Sequence, residues 1–330
     1  MPRDPMLTFG QEQGMFLYNV TRKWFTLGSV FTGPVLLLIN APFGRFSPKS
    51  DSIFLVDGIT SWIIMELASP IAFLACFFSS PISYYRPDLP ELATPQTLLV
   101  ALFLIHYANR ALICPLRTPS RSKSHLIVPL CAIFFNIING SLMGSFLSSP
   151  YARIFLNSSL TYERPSFYIG LALWAIGFAG NIAHDEILLD IRRKANAKGK
   201  GKEPQPTVDG KPGRVEEYYA IPQGLLYRFV SYPNYLCEWV EWLGFALAAA
   251  PFPVEFTFST LVSLFSWETW ASIIQEPSHV FVPNLVPPYI FLLSEVLLML
   301  PRAYKGHLWY KQKFGDRYPK ERKAVVPFIL

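Results

Sequence analysis

Chemistry in this 330-residue chain begins with polar side chains set inside apolar runs. Glu66 stands midway in DGITSWIIMELASPIAFLACFF, with no other charge between Asp57 and the end of that run. Burying a charge at the centre of an apolar helix costs about 2.5–3.5 kcal/mol on insertion scales, so the residue asks for a reason. It can serve as a helix-packing hydrogen bond, or as a carboxyl kept neutral by desolvation and able to donate a hydrogen bond. The next apolar run, LFLIHYANRALICPL, brings His106, Tyr107 and Arg110 together, with Tyr107 and Arg110 three apart on one helical face. A tyrosine at a span end ordinarily anchors to the interface, yet a phenol near a protonated carboxyl makes an oxyanion-stabilising pair.

Two further helical stripes carry polar groups. Asn181, Asp185, Leu188 and Arg192 follow i, i+4, i+7, i+11 in GNIAHDEILLDIRRK, and Asn234, Glu238 and Glu241 follow i, i+4, i+7 in a helix that is otherwise aromatic and apolar. Two acids on such a helix are expected to line a polar cavity rather than face lipid. Glu295, in the last apolar run, has no evident partner in sequence and stays unassigned. The four cysteines show no CxxC spacing and the five histidines no HxxxH or HExxH pattern, so no metal site is expected. Neither a GxGxxG turn nor a GxxxxGKS loop is present, so a dinucleotide would have to be held between helices and their loops.

The elements that position these residues are membrane helices. Half of the residues (51%) are hydrophobic and only 16% charged, against about 25% charged in a soluble domain. Spans of about 20 apolar residues are predicted near 24–41, 57–79, 95–114, 126–148, 166–188, 223–250 and 284–301. No cleavable signal peptide is evident, since Met1–Gln13 is polar. Seven spans place the termini on opposite faces. With the amino terminus lumenal, one side collects Arg45, Lys49, Arg117, Arg121, Lys123, eight basic residues from Arg192 to Arg214 and eight from Arg302 to Lys323. The bias of about five to one makes that side cytosolic, explains the net charge of +6 as topogenic, and leaves no case for nucleic-acid binding. Residues 256–275 are apolar but carry Glu268, and are expected to form a lumenal or re-entrant hairpin within the 252–283 insertion. Residues 195–214, rich in Lys, Gly and Pro, are expected to form a flexible cytosolic loop. The expectation is an all-α integral membrane protein of seven transmembrane helices, one domain over residues 1–330, amino terminus lumenal and carboxyl terminus cytosolic.

Several segments resemble, in order, those of the steroid 5α-reductases, the 3-oxo-5α-steroid 4-dehydrogenases of animals and plants. They are APFGRFS, WIIMELASP, LIHYANRALICPLR, NIAHDEIL, the long YAIPQGLLYRFVSYPNYLCEWVEWLGFALA and the tail HLWYKQKFGDRYPKERKAVVPFIL. The resemblance implies a seven-helix enzyme of the endoplasmic reticulum membrane that binds NADPH on the cytosolic side and takes an apolar steroid from the bilayer. Glu66 falls on the family's substrate-carbonyl glutamate and Tyr107 on its partner tyrosine. Asn181, Asp185, Arg192, Tyr219, Asn234, Glu238, Arg302 and Tyr310 fall on cofactor contacts, and Arg121 matches a further basic one. The implied reaction sends hydride to C5 of a 3-oxo-4-ene steroid while Tyr107 and protonated Glu66 stabilise charge at the C3 oxygen; C4 takes a proton from Tyr107 or water. The chain departs from the family pattern at Met143, where a glutamine is usual, and at Ala220, where animal enzymes carry a basic residue. Reduction of a 2-enoyl-CoA or polyprenal, a membrane methyltransferase of the isoprenylcysteine type, and a non-enzymatic scaffold or transporter are the competing assignments.

Overall fold

The computed structural model describes residues 9–47, 52–84, 89–197, 202–204, 215–253, 262–263 and 266–330. Every predicted span carries a helix: α1 (Phe9–Leu38), α2 (Gly58–Ser79), α3 (Pro95–Tyr107) continued through a π-helical stretch (Ala108–Ile113) into α4 (Cys114–Arg117), α5 (Ile127–Leu147), α8 (Pro165–Ala197), α9 (Pro233–Ala249) and α11 (Pro287–Phe314). Short helices α6 (Pro150–Phe155), α7 (Ser158–Thr161) and α10 (Trp267–Gln275) lie between them. Among the described residues four elements, α2, the α3–α4 rod, α5 and α8, are long and apolar enough to cross a membrane on length and composition. This is a largely helical, multi-pass membrane protein.

Local chemistry sets the ends. Asp57 caps α2 by accepting from Ile59 and Thr60 N–H, and Thr94 and Ser266 cap α3 and α10. The sixth predicted span begins late: 223–232 is irregular, with a short 3-10 turn at Leu225–Arg228, and α9 starts only at Pro233. Pro222 and Gly224, the latter at φ +98°, break the run before Pro233 opens the helix as a favourable first residue. The predicted 195–214 loop is helical as far as Ala197, and its Lys202–Pro204 pairs antiparallel with Val215–Glu217; the rest lies outside the described residues. Of the predicted 256–275 hairpin, helix α10 is described, while residues 254–261 and 264–265 lie outside.

Glycines bring two helix pairs close. A Cβ on Gly140 or Gly144 of α5 would meet the backbone of Ser69 and Phe73 in α2, and one on Gly177 or Gly244 would meet the facing backbone between α8 and α9. Between them lies a core of Phe73, Phe103, Tyr107, Met143, Trp242 and Phe245. At one end of the bundle the connecting segments join: Leu55–Val56 pairs antiparallel with Ser124–His125, and Ser231 and Tyr232 donate backbone hydrogen bonds to Lys323 and Ala324. At the other end Arg22, on α1, donates to the carbonyls of Phe281, Val282 and Leu285, which accounts for a buried cation inside the first helix.

Candidate active site

The joined end encloses a cavity of about 410 Å³. Its floor is built on the rod from α3 to α4. Pro115 cannot donate the hydrogen bond that an α-helical register needs, and the preceding turn widens to a π register in which Cys114 N–H reaches Asn109 O. The carbonyl of Arg110 is thereby released and accepts a hydrogen bond from Trp62 Nε1 at 3.2 Å. Trp62 comes from α2, and its ring lies 4.9 Å from the Arg110 guanidinium and 3.6 Å from that of Arg121.

Arg110 then bridges two helices. Its Nε stands 3.5 Å from Glu66 Oε1 on α2 and its Nη1 3.6 Å from Glu238 Oε2 on α9. One guanidinium between two carboxyls leaves one negative charge in excess unless the pair shares a proton. Behind Glu238 the stripe is hydrogen bonded: Asn181 Nδ2 donates to Glu238 Oε2 (3.2 Å) and to the Asn234 carbonyl (3.1 Å), and Asn234 Nδ2 donates to Asp185 Oδ1 (2.9 Å). Tyr107 is buried one turn below Arg110, within electrostatic range of Glu66, and its hydroxyl accepts from Asn139 Nδ2 at 3.2 Å.

The expected site residues therefore fall into two layers. Asp185, Arg192, Tyr219, Asn234, Arg302 and Tyr310 line the cavity, as do Arg110 and Arg121. Glu66, Tyr107, Asn181 and Glu238 lie beneath that lining; Glu66 and Glu238 are tied to it through Arg110, Asn181 through Asn234, and Tyr107 is held by Asn139. Neither acid expected to line the cavity does so: Glu238 lies beneath the lining, and Glu241 is fully buried against His106, Nδ1 to Oε1 at 2.7 Å. Met143 is likewise fully buried in the apolar cluster that holds Tyr107.

Phe43, Arg45 and Tyr232, not singled out as site residues from the sequence, join Tyr219, Arg302 and Tyr310 in the wall. The Arg45 guanidinium is enclosed by the rings of Tyr310 (4.6 Å), Trp309 (4.8 Å), Tyr232 (5.5 Å) and Tyr219 (5.6 Å). Arg302 lies 3.4 Å over the Phe43 ring. Arg45 sits in APFGRFS and its rings in the IPQG–PNY segment and the tail, so only their aromatic density hinted at an enclosure.

The donor set suits a polyanion. Arg45, Arg110, Arg121, Arg192, Arg302 and Lys305 line one cavity with, among the described residues, a single carboxylate, Asp185. Burial, with Arg192 and Arg110 alongside, pushes the Arg121 guanidinium down to about 9, the sign of cations crowded without enough counter-charge. Arg302 Nη1 and Asn234 Oδ1 are buried without a hydrogen-bond partner among the described residues, a donor and an acceptor. Phosphates and an amide-bearing ring would satisfy both, so the residues fit a nicotinamide dinucleotide.

Comparison with known proteins agrees with this chemistry. The family model described as 3-oxo-5-alpha-steroid 4-dehydrogenase matches residues 122–201, 211–272 and 273–330. The chain belongs to that family. It is 31% identical over 294 residues to 3-oxo-5-alpha-steroid 4-dehydrogenase 1 of Rattus norvegicus, covering 88% of this chain and 87% of that protein. It is 30% identical over 325 residues to a steroid 5-alpha-reductase of Solanum lycopersicum, covering 97% and 99%. An uncharacterised protein of Schizosaccharomyces pombe is 36% identical over 323 residues, covering 93% and 96%. Family membership makes the chain an oxidoreductase of the 3-oxo-5α-steroid 4-dehydrogenase type.

Proposed function

We propose that this protein is a seven-span reductase of the endoplasmic reticulum membrane, a single domain that uses NADPH to reduce the 4,5 double bond of a 3-oxo-4-ene steroid to the 5α product. The observation that carries the proposal is the bridge from Arg110 to Glu66 and Glu238, because it joins the cationic cavity to the only carboxyl of α2. The seven long helices over the predicted spans support the topology, and the basic cavity end supports a cytosolic mouth.

When bound, NADPH supplies the hydride; orientation and electrostatics belong to the protein. Arg121, Arg192, Arg302 and Arg45 hold the phosphates, and Asp185, Asn234, Tyr219 and Tyr310 fix the remainder of the dinucleotide. Asn181 and Glu238 set the position of Arg110 and Asn234. Negative charge develops on the C3 oxygen as the enolate forms. Protonated Glu66 and Tyr107 donate to that oxygen, each worth roughly 3–4 kcal/mol in a dry, preorganised site. Asn139 orients the phenol by donating to its oxygen. The apolar steroid reaches the site from the bilayer.

The test is a substrate panel. Membranes containing the protein receive NADPH with a 3-oxo-4-ene steroid, a 2-enoyl-CoA or a polyprenal, and products are identified by mass and stereochemistry. The expected result is reduction of the steroid alone to a 5α product, abolished by Glu66→Ala and partly retained by Glu66→Gln. Turnover of only another substrate, or unchanged turnover by Glu66→Ala, overturns the assignment.

A further inference from the structure

Reduction of the double bond adds a hydride and a proton; the family resemblance leaves the proton to Tyr107 or water, but Tyr107 is already committed to the carbonyl oxygen in the proposed reaction. The acids around the deep end of the cavity are almost all committed. Tyr107 and Glu66 hold the carbonyl oxygen in the proposed reaction. Glu238 accepts from Asn181 and faces Arg110, Asp185 accepts from Asn234, and Glu241 is paired with His106. Glu295 is the exception: it has no hydrogen-bond or ion-pair partner among the described residues.

Its place in the fold is set by two faces of α11. On one face Ser294 Oγ and Ser29 Oγ are hydrogen bonded at 2.8 Å, and the Leu297 carbonyl would lie 3.1 Å from a Cβ at Gly33, so that face is seated on α1. The other face carries Glu295, Met299 and Arg302 at i, i+4, i+7, and Met299 and Arg302 line the cavity. Glu295 is therefore one turn deeper than the cavity wall. It is only partly buried, and stands within electrostatic range of Glu238, Arg110 and Glu66, and of Tyr107.

We propose that Glu295 supplies the proton that reaches C4 of the steroid, an assignment that rests on the steroid-reduction reading. As the enolate collapses, its electron pair forms the new C4–H bond, the Glu295 O–H bond breaks, and the C3 carbonyl is restored with its donors still in place. The carboxylate left behind regains a proton from water along the Met299–Arg302 side of the cavity, which opens at the basic end. One proton is consumed per double bond reduced, and no further oxidant or reductant is needed.

The experiment compares wild type, Glu295→Gln and Glu295→Asp in membranes with NADPH and a 3-oxo-4-ene steroid. NADPH fluorescence reports folding and cofactor binding independently of turnover. The expected result is a kcat loss of roughly 10²–10⁴-fold in Glu295→Gln, the range of general acid catalysis, with KM unchanged and a smaller loss in Glu295→Asp. Infrared difference spectra on adding steroid should show a carboxylic-acid C=O band in wild type that is absent from Glu295→Gln. Three results overturn the proposal: kcat in Glu295→Gln within about twofold of wild type, a change confined to KM, or equal losses in the Gln and Asp variants. Should Glu295→Gln fail to bind NADPH, the wild-type band and the Asp variant still decide it, since absence of the band refutes the role. A wild-type protein that reduces no steroid overturns the underlying function instead, which is a distinguishable outcome.

Discussion

Replacing Arg110 with methionine tests whether one guanidinium holds the deep site together. The variant keeps most of the aliphatic volume and removes the cation that, among the described residues, bridges Glu66 and Glu238. At 3.5 and 3.6 Å the two contacts are longer than close hydrogen bonds. With the shared proton on Glu66, the ionised partner is Glu238, and Coulomb's law at an effective dielectric of about 20 gives roughly 5 kcal/mol of attraction for that pair. Dehydration of the three groups offsets much of that. Removing one partner of a buried pair costs about 3–5 kcal/mol, because the remaining charge has lost its compensation. The Arg110 side chain is 23% exposed while the carboxyls are 10% and 3% exposed, which places the expected loss near the lower end, about 3 kcal/mol. The assay is denaturant unfolding in detergent micelles with intrinsic tryptophan fluorescence as the signal. Adding Glu238→Gln to the variant should recover about 1–2 kcal/mol, since the second substitution removes one stranded carboxyl, a coupling in the range found for contacting pairs. A loss below about 1 kcal/mol in Arg110→Met, with no recovery in the double variant, would refute the bridge as a structural necessity.

Two further outcomes follow from the cavity wall. Arg121 titrates near 9 and carries its charge below that value, so an anion bound there is held fully at neutral pH and released as pH rises through it. The NADPH dissociation constant should be flat to about pH 8 and then rise by up to roughly tenfold per pH unit, and Arg121→Gln should bind weakly at all pH with that rise absent. At Gly306 a Cβ would collide with the hydroxyl end of Tyr232, one of the rings around Arg45. Gly306→Ala should therefore cost about 1–3 kcal/mol through overpacking and weaken NADPH binding, read by unfolding and by cofactor fluorescence.

Much of this architecture is legible in sequence because a charge inside an apolar run has so few explanations. Glu66 announced itself by isolation, and Asn181, Asp185, Asn234 and Glu238 by helical spacing alone. Elsewhere the same logic failed for identifiable reasons. The LLYRFVSY stretch is apolar enough to read as the start of a span, but Gly224 at positive φ and two flanking prolines hold it irregular, and that irregularity is what brings Tyr232 beside Arg45. Glu241 shares a stripe with Glu238, yet its partner His106 lies 135 residues away in sequence. Spacing on one helix says which residues share a face, not which neighbour that face meets. The aromatic enclosure of Arg45 was hidden for the same reason, since its rings come from two distant segments.

The deep site is a consequence of helix packing as much as of its polar residues. Gly140 and Gly144 draw α5 onto α2, and Gly177 and Gly244 draw α8 onto α9, so Glu66 and Glu238 each sit on one member of a tightly closed pair. Neither pair alone makes the site. The π-helical stretch between α3 and α4 supplies the link, because the shifted register frees the Arg110 carbonyl for Trp62 while its guanidinium reaches both acids. A proline five residues beyond the arginine thus determines where a cation stands between two rigid halves. Substitution of Pro115 would allow an α-helical register, with the Arg110 carbonyl accepting from Cys114 again and Trp62 losing its partner. The contact of Arg110 with Glu66 depends on that one turn.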